Sequence, residues 1–363
     1  MMQFSVPTNW TFDLISKIGM YPVSELYGAL PVTPAGSGRS AKILPDIDRD
    51  MAKLHIQRTL DKGWGFNYLL NGVCSGNRET SPSFREALFE HLNWVVASGV
   101  TTVTVANLFM LDFVKTHFPK LSIKTSIFVA PLNVRTIQKL AQMGVSAVAI
   151  KQADNRNFDF LKKVKRAVDV ELWLLTNVAC AYDCPALVYH ANASGHDSCG
   201  DMRLTDGPNT YPILKCTVNK LSDASGLVRA RWIRPEDIEV YEALGYESFK
   251  LAGRDAPTGW IVKVLDAYAN RRYDGNLTDI LDGFHYLNEW QRRMGNLPFQ
   301  LPLLENRKLD GFLNHFTAGK CTDLCDECGY CARISKQAVS LFDRDNQSFI
   351  EVIDAYAESK RYF

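Results

Sequence analysis

Charge of one sign is the first thing this sequence lacks. Lys and Arg total 41 against 40 Asp and Glu, a formal net charge of +1. That balance gives no overall field to steer the chain toward nucleic acid or an anionic membrane, and leaves room only for a local basic patch. No run approaches the ~20 apolar residues of a membrane-spanning helix. The opening MMQFSVPTNW lacks the basic start and apolar stretch of a secretory leader. A cytoplasmic location is therefore expected, with neither membrane nor nucleic acid as partner. HExxH and GxSxG are both missing, and no hydrolytic nucleophile can be assembled with its base. The glycine-rich GSGRS at 36–40 can offer backbone amides to an anion, but it matches neither a P-loop nor a dinucleotide fingerprint.

What is present is an ordinary globular composition, 46% apolar and 22% charged, arranged as strand then helix, repeated. After a helical opening (10–19), strands are predicted at VSELYGAL (23–30), GFNYLLNGV (65–73), TTVTVAN (101–107), IKTSIFVAP (123–131), VSAVAI (145–150), VELWLLTNV (170–178), RARWI (229–233) and ESFKLAG (247–253). Helical periodicity fills the gaps. Phe84, Leu88, Leu92 and Val95 share one face of a helix that stops at Gly99, and Asn133 is placed to cap the helix carrying Val134, Ile137 and Leu140. Eight strand–helix units predict an α/β fold, a parallel (β/α)8-like barrel, with a doubly wound open sheet as the alternative. The expected organisation is a barrel domain over 1–273, interrupted at about 180–227 by a cysteine-rich insertion of little periodicity. A helical extension over 274–363 would carry a cysteine loop at 321–331.

Nine cysteines are also present, an odd number that suits a disulfide framework poorly, and in a reducing compartment clustered thiols read as metal ligands. Cys321, Cys325, Cys328 and Cys331 fall within eleven residues, separated by gaps of three, two and two. Such spacing suits a loop wrapped around a compact 4Fe–4S cluster, whereas zinc sites usually split their ligands into two distant pairs, so zinc is the alternative. The other five, Cys74, Cys180, Cys184, Cys199 and Cys216, follow two predicted strands or lie in the insertion that leaves the same barrel rim. A second cluster at the mouth is expected on Cys74, Cys180, Cys184 and Cys216. Cys199 is the spare, though Cys184 and Cys199 can exchange roles, and any one of the five can equally be a small buried apolar residue. His190 and His196 flank them as ligand or proton-transfer candidates, or as hydrogen-bonded surface histidines.

Polar residues just after strands would line the mouth: Arg39, Asn71, Asn107, Lys151, Asn177, Arg234, Lys250 and Arg254. Among them Arg39, Lys151, Lys250 and Arg254 are the candidates to bind a small anionic substrate, because guanidinium forks match carboxylates. The plain alternative for each is an exposed charge or a structural ion pair.

Four separated segments, NYLLNGVCSGNRE (67–79), NVACAYDCPALVYHANASGH (177–196), WIRPEDIEVYEALGYESFKLAGR (232–254) and CDECGYC (325–331), together resemble the U32 peptidase-like family, over about positions 20–335. The resemblance implies a barrel and a 4Fe–4S cluster held by four cysteines, one after an early strand, where Cys74 fits, and three further on, beginning with Cys180. The later spacing departs from the ubiquinone-pathway members, which also lack the 321–331 loop. For function, the resemblance implies an oxidoreductase of oxygen-independent hydroxylation with a prephenate-like oxygen donor. The alternatives are a peptidase, as the family's first name suggests, or a non-catalytic electron-transfer or scaffold subunit of a family heterodimer. An electron donor protein is a further expected partner. CTDLCDEC also shows the three-then-two spacing of radical S-adenosylmethionine enzymes, but those carry it after the first barrel strand, and here it follows the eighth.

Overall fold

The computed structural model describes residues 2–129, 133–182, 184–200, 211–284 and 300–359. Eight parallel strands close into a barrel: β1 (Gln3–Pro7), β2 (Val23–Gly28), β3 (Gly65–Leu70), β4 (Thr102–Val105), β5 (Ser122–Thr125), β6 (Ala147–Ile150), β7 (Glu171–Leu175) and β8 (Ser248–Lys250). Closure runs through β1 and β8, where Phe4 pairs with Phe249, so the sheet has no open edge and the doubly wound alternative falls. Helices form where expected. Asn133 accepts from the Thr136 amide at 2.9 Å and caps Val134–Gln142, and the helix Pro82–Ala97 buries Phe84, Leu88, Leu92 and Val95. No helix among the described residues is long and apolar enough to cross a membrane.

The sequence count of eight strands is reached with two compensating errors. β1 was not among the predicted strands. It is five residues long, and its Phe4 and Val6 are buried while Gln3 and Ser5 carry the polar alternate positions. RARWI is not a strand. It is apolar because it is buried, not because it is paired: Trp232 and Ile233 are each 1% exposed, and the segment is held by single bonds such as Ile233 N to Thr176 O (2.9 Å). Arg156 fastens it from below, donating to Val228 O (2.8 Å) and Trp232 O (3.0 Å). The insertion is also more regular than its composition suggests, with helices at Leu187–Ser198, Tyr211–Ser222 and Ala224–Arg229. Position 183 and 201–210 of that insertion, and the last two positions of the stretch predicted at 123–131, lie outside the described residues.

Inside the barrel the side chains are polar. Glu25 accepts from Ser5 (2.6 Å), Asn67 (3.1 Å) and Lys124 (3.0 Å), and Asn67 in turn accepts from Thr104 (2.9 Å). Lys124 also lies 4.1 Å from the centre of the Trp173 ring. Beyond the barrel the C-terminal region is helical and returns to the insertion. The helix Tyr330–Ala338 packs on Ala224–Arg229, and Asp343–Ser359 packs on Tyr211–Ser222.

Candidate functional site

The loop after β2 and the C-terminal end of β8 bring a group of cations to the barrel mouth. Lys250, the last residue of β8, sits 3.8 Å from the centre of the Tyr27 ring, and the Tyr27 hydroxyl donates to Leu251 O (2.6 Å). Just beyond, Gly253 adopts φ +125°, a conformation L side chains rarely adopt, and any Cβ there would strike the Trp260 ring at 2.4 Å. This turn introduces Arg254, which is 5% exposed and whose Nη1 is buried without a hydrogen-bond partner. Arg39, from the GSGRS loop, donates to Asp282 at 2.5 Å. Asp282 arrives from the chain beyond the barrel, pinned by a bridge to Val178 and by Ala179 N to Asp282 O (3.1 Å).

Burial and like charge govern the electrostatics. Burial pushes Lys250 down to about 7; Glu25 pulls the other way, and Arg254 and Lys124 add to the fall. Arg254 is likewise lowered to about 10, by burial first, with Tyr27 opposing and Arg39 contributing. Burial works against the charge on Arg39 too, but Asp282 and Asp255 more than restore it and hold it above the usual guanidinium range. His190 is pushed down to about 4 by burial, then by Arg39 and Lys220, which makes it a neutral imidazole at physiological pH. Three buried cations, Arg39, Lys250 and Arg254, thus sit among Asp282, Asp255 and Glu25, and burial before any neighbour disfavours the charge on Lys250 and Arg254.

Lys250 supplies a pH test. Its folded value of about 7 lies below the ordinary 10.5, so between these limits the unfolded chain binds more protons and stability rises with pH. Below pH 7 the whole cost of burying the ammonium is present. Lys250→Met should therefore raise the melting temperature more at pH 6 than at pH 9, as differential scanning calorimetry at the two values would show.

The other rim candidates divide. Asn71, Asn107 and Asn177 are fasteners of the loops rather than pocket groups. Asn71 accepts from Gly38 N (3.1 Å). Asn107 caps Leu108–His117 and donates to Gly72 O (3.1 Å), and Asn177 accepts from Ala252 N (2.7 Å). Arg234 pairs with Asp310 (2.7 Å) and lines a separate polar cleft of about 600 Å³ with Glu236, Arg271 and Arg307. Lys151 follows β6 at the rim and is half-buried.

The thiols fall into two neighbourhoods. Cys180, just past β7, is pushed up to about 11, by burial first and then by Cys216, with Lys220 opposing and Cys184 adding, so these three thiols and Lys220 share one environment. Asp282 is felt there too, which ties the thiols to the cationic pocket. Cys74 accepts from Gly76 N (3.3 Å) within its own loop, and that loop lies against the helix Leu187–Ser198, where Gly195 approaches Val73 N and His196 approaches Gly76. Cys199 is placed elsewhere, its sulfur directed at Pro34 O (3.7 Å) beside Gly36. In the second neighbourhood Cys331 is raised by burial, against Arg156 and Arg231, and feels Cys321 and Cys325. Cys328 meets His315 Nε2 at 3.4 Å. The two neighbourhoods touch: Tyr182, between Cys180 and Cys184, donates to Asp323 (2.8 Å), between Cys321 and Cys325, and Arg231 stacks on Tyr182 while bonding Asp323 (3.1 Å). Among the described residues no three His, Cys, Asp or Glu side chains are spaced to hold a metal ion as they stand.

Sequence reasoning missed Tyr27, Asp282, Lys220, Arg231 and His315. Tyr27 was within reach, since two residues past Glu25 on β2 it shares that residue's face of the strand. Nothing local marks Asp282, because only the returning chain carries it to the mouth. A hydroxyl–imidazole pair is also visible that the sequence hid: Thr8 Oγ1 meets His55 Nε2 at 2.8 Å. It is sealed, with Thr8 1% and His55 0% exposed, and His55 Nδ1 has no orienting partner.

No family model matches the chain. It is 26% identical over 321 residues to "Uncharacterized protease MJ1657" of Methanocaldococcus jannaschii, covering 87% of this chain and 89% of that one. Its fold is similar to "The Structure of the U32 Peptidase Mk0906", with a TM-score of 0.53 and 16% identity, covering 71% of this chain and 95% of that one.

Proposed function

We propose that the chain, whose fold is similar to that of a U32 peptidase, is an iron–sulfur redox enzyme acting on a small organic anion at the barrel mouth. The observation that carries this reading is the grouping of Cys180, Cys184 and Cys216 beside a cationic pocket that contains a buried, unpartnered guanidinium nitrogen on Arg254. Soft thiol donors suit a 4Fe–4S cluster. Cys180, Cys184 and Cys216 would hold it, with Cys74 offered as the fourth by the neighbouring loop. When bound, such a cluster supplies Lewis-acid and one-electron chemistry.

The chain's own residues do the rest. Arg254 and Arg39 grip a carboxylate, and Asp282 fixes the Arg39 fork in place. Lys250, titrating near neutrality, can hold or release a proton at Nζ. The proposed reaction is oxygen-independent hydroxylation, carried over from the sequence resemblance. A substrate C–H becomes C–OH, and a prephenate-like donor loses that hydroxyl and takes the hydrogen, so no net electrons enter.

The names of both similar proteins favour a second reading, a peptidase. One experiment separates the two. Full-length protein purified anaerobically would be analysed for iron and acid-labile sulfide, titrated calorimetrically with prephenate and other dicarboxylates, and assayed for peptide cleavage with and without chelator. The redox reading expects iron, sulfide and dicarboxylate binding. Iron-free protein that cleaves peptides would replace it with the hydrolase.

A further inference from the structure

We propose that the loop Cys321–Cys331 is a second, separate iron–sulfur site, with Arg231 and His315 as the donors that position its thiolates. Local geometry places the cysteines on one helical turn and the start of the next helix. The helical turn Cys325–Cys328 spaces its two cysteines three residues apart. Gly329 then takes φ +59°, a left-handed conformation that ends this turn and lets Tyr330–Ala338 start at once, with Cys331 in its first turn. Cys331 lies in electrostatic reach of Cys321 and Cys325, and both Cys321 and Cys331 pack partly buried against the core.

The surroundings are built for an anionic centre. Arg231, 5% exposed, directs Nη2 at Cys321 Sγ (3.8 Å), and its Nε is buried without a partner. Arg156, 3% exposed, reaches Cys331 electrostatically while its hydrogen bonds go to two carbonyl oxygens and its guanidinium lies over Trp232 (4.3 Å) and Phe312 (4.7 Å). Buried guanidinium groups need compensating negative charge. Asp323 partners Arg231 and Asp237 lies within electrostatic reach of Arg156; thiolates on a cluster would add negative charge that neutral thiols do not. At the other end His315 stacks flat on Tyr330, 3.9 Å apart and 7° from parallel, which fixes the ring whose Nε2 meets Cys328 Sγ. Donors aimed at ligand sulfurs are the means by which a protein orients a cluster and sets its potential. Protonated thiols gain nothing by meeting at one point. As they stand these sulfurs are not spaced to hold a metal ion, and loss of their protons to metal would draw them together.

The test uses the full chain, reconstituted anaerobically with ferrous iron and sulfide, with iron, zinc and sulfide counted per chain. Cys325→Ser and Cys328→Ser should each lose about half of both iron and sulfide. A Cys180→Ser/Cys216→Ser chain should keep about half, and its remaining signal should disappear when Cys325→Ser is added. In that same background Arg231→Met should shift the reduction potential to lower values in an EPR-monitored titration, because a positive charge and an N–H···S contact are removed. Full iron and sulfide in both loop variants overturns the site, as does zinc without sulfide in the Cys180→Ser/Cys216→Ser chain. An unchanged potential overturns the role of Arg231. Failure of the mouth reading looks different: the Cys180→Ser/Cys216→Ser chain would then hold as much iron as wild type.

Discussion

Arg254→Met is expected to weaken dicarboxylate binding by about 30-fold or more, the ~2–5 kcal/mol lost when one partner of a desolvated, hydrogen-bonded charge pair is removed. Loss of affinity usually raises the suspicion of a damaged fold, and here the physics separates the two. Arg254 is buried, its charge is disfavoured by burial and by Arg39, and its Nη1 bonds to nothing in the protein. Taking it away orphans no partner of that nitrogen and relieves a charge the pocket tolerates poorly. The variant should melt no lower than wild type while failing to bind, a trade-off common at functional sites. Arg307→Met, in the separate polar cleft, is the control and should bind as wild type does. Calorimetric titration together with thermal melts reads both quantities. Equal affinity in Arg254→Met and wild type would remove the anion pocket from the functional account.

The second large effect is on stability. Glu25→Ala should lower the unfolding free energy by about 3–5 kcal/mol, the scale for breaking a buried charge pair by deleting one member. Glu25 is 6% exposed and is the common acceptor for Ser5, Asn67 and Lys124. Its loss leaves three donors facing one another inside the barrel, one of them an ammonium. Lys124→Met alone should also destabilise, and the double variant should cost less than the sum, because the second deletion removes a charge that the first left with only a longer contact to Glu171 (3.7 Å). Urea titrations of the four proteins would measure this, with the m-value as the check that unfolding stays two-state. A double variant whose cost equals the sum would show that Glu25 and Lys124 act independently.

Much of the scaffold was legible because it rests on short-range rules. Helix faces such as Phe84, Leu88, Leu92 and Val95, the Asn133 cap, and the strand–helix rhythm all follow from periodicity and local hydrogen bonding, and they suffice to imply a barrel. Where the rules failed, burial came from the wrong source. RARWI has the apolar run of a strand because Trp232 and Ile233 are covered by the returning chain, and β1 is masked by barrel-facing polar residues. The helices at 187–198 and 211–222 hide behind glycine, asparagine and cysteine, whose helix propensities are low and which are held here by packing.

The sequence by itself determined that thiols would crowd two stretches of this chain and that Arg39, Lys250 and Arg254 would follow strands or loops at one barrel rim, since spacing along a polypeptide is enough to say so. Only the tertiary structure decided which groups meet. It placed Cys199 against Pro34, turned Cys328 toward His315, brought Asp282 onto Arg39, and set Tyr182 on Asp323 so that the two cysteine regions adjoin. Such encounters depend on how a closed barrel and the segment returning over its mouth are packed. That packing is a property of the whole chain, which no local pattern of residues encodes.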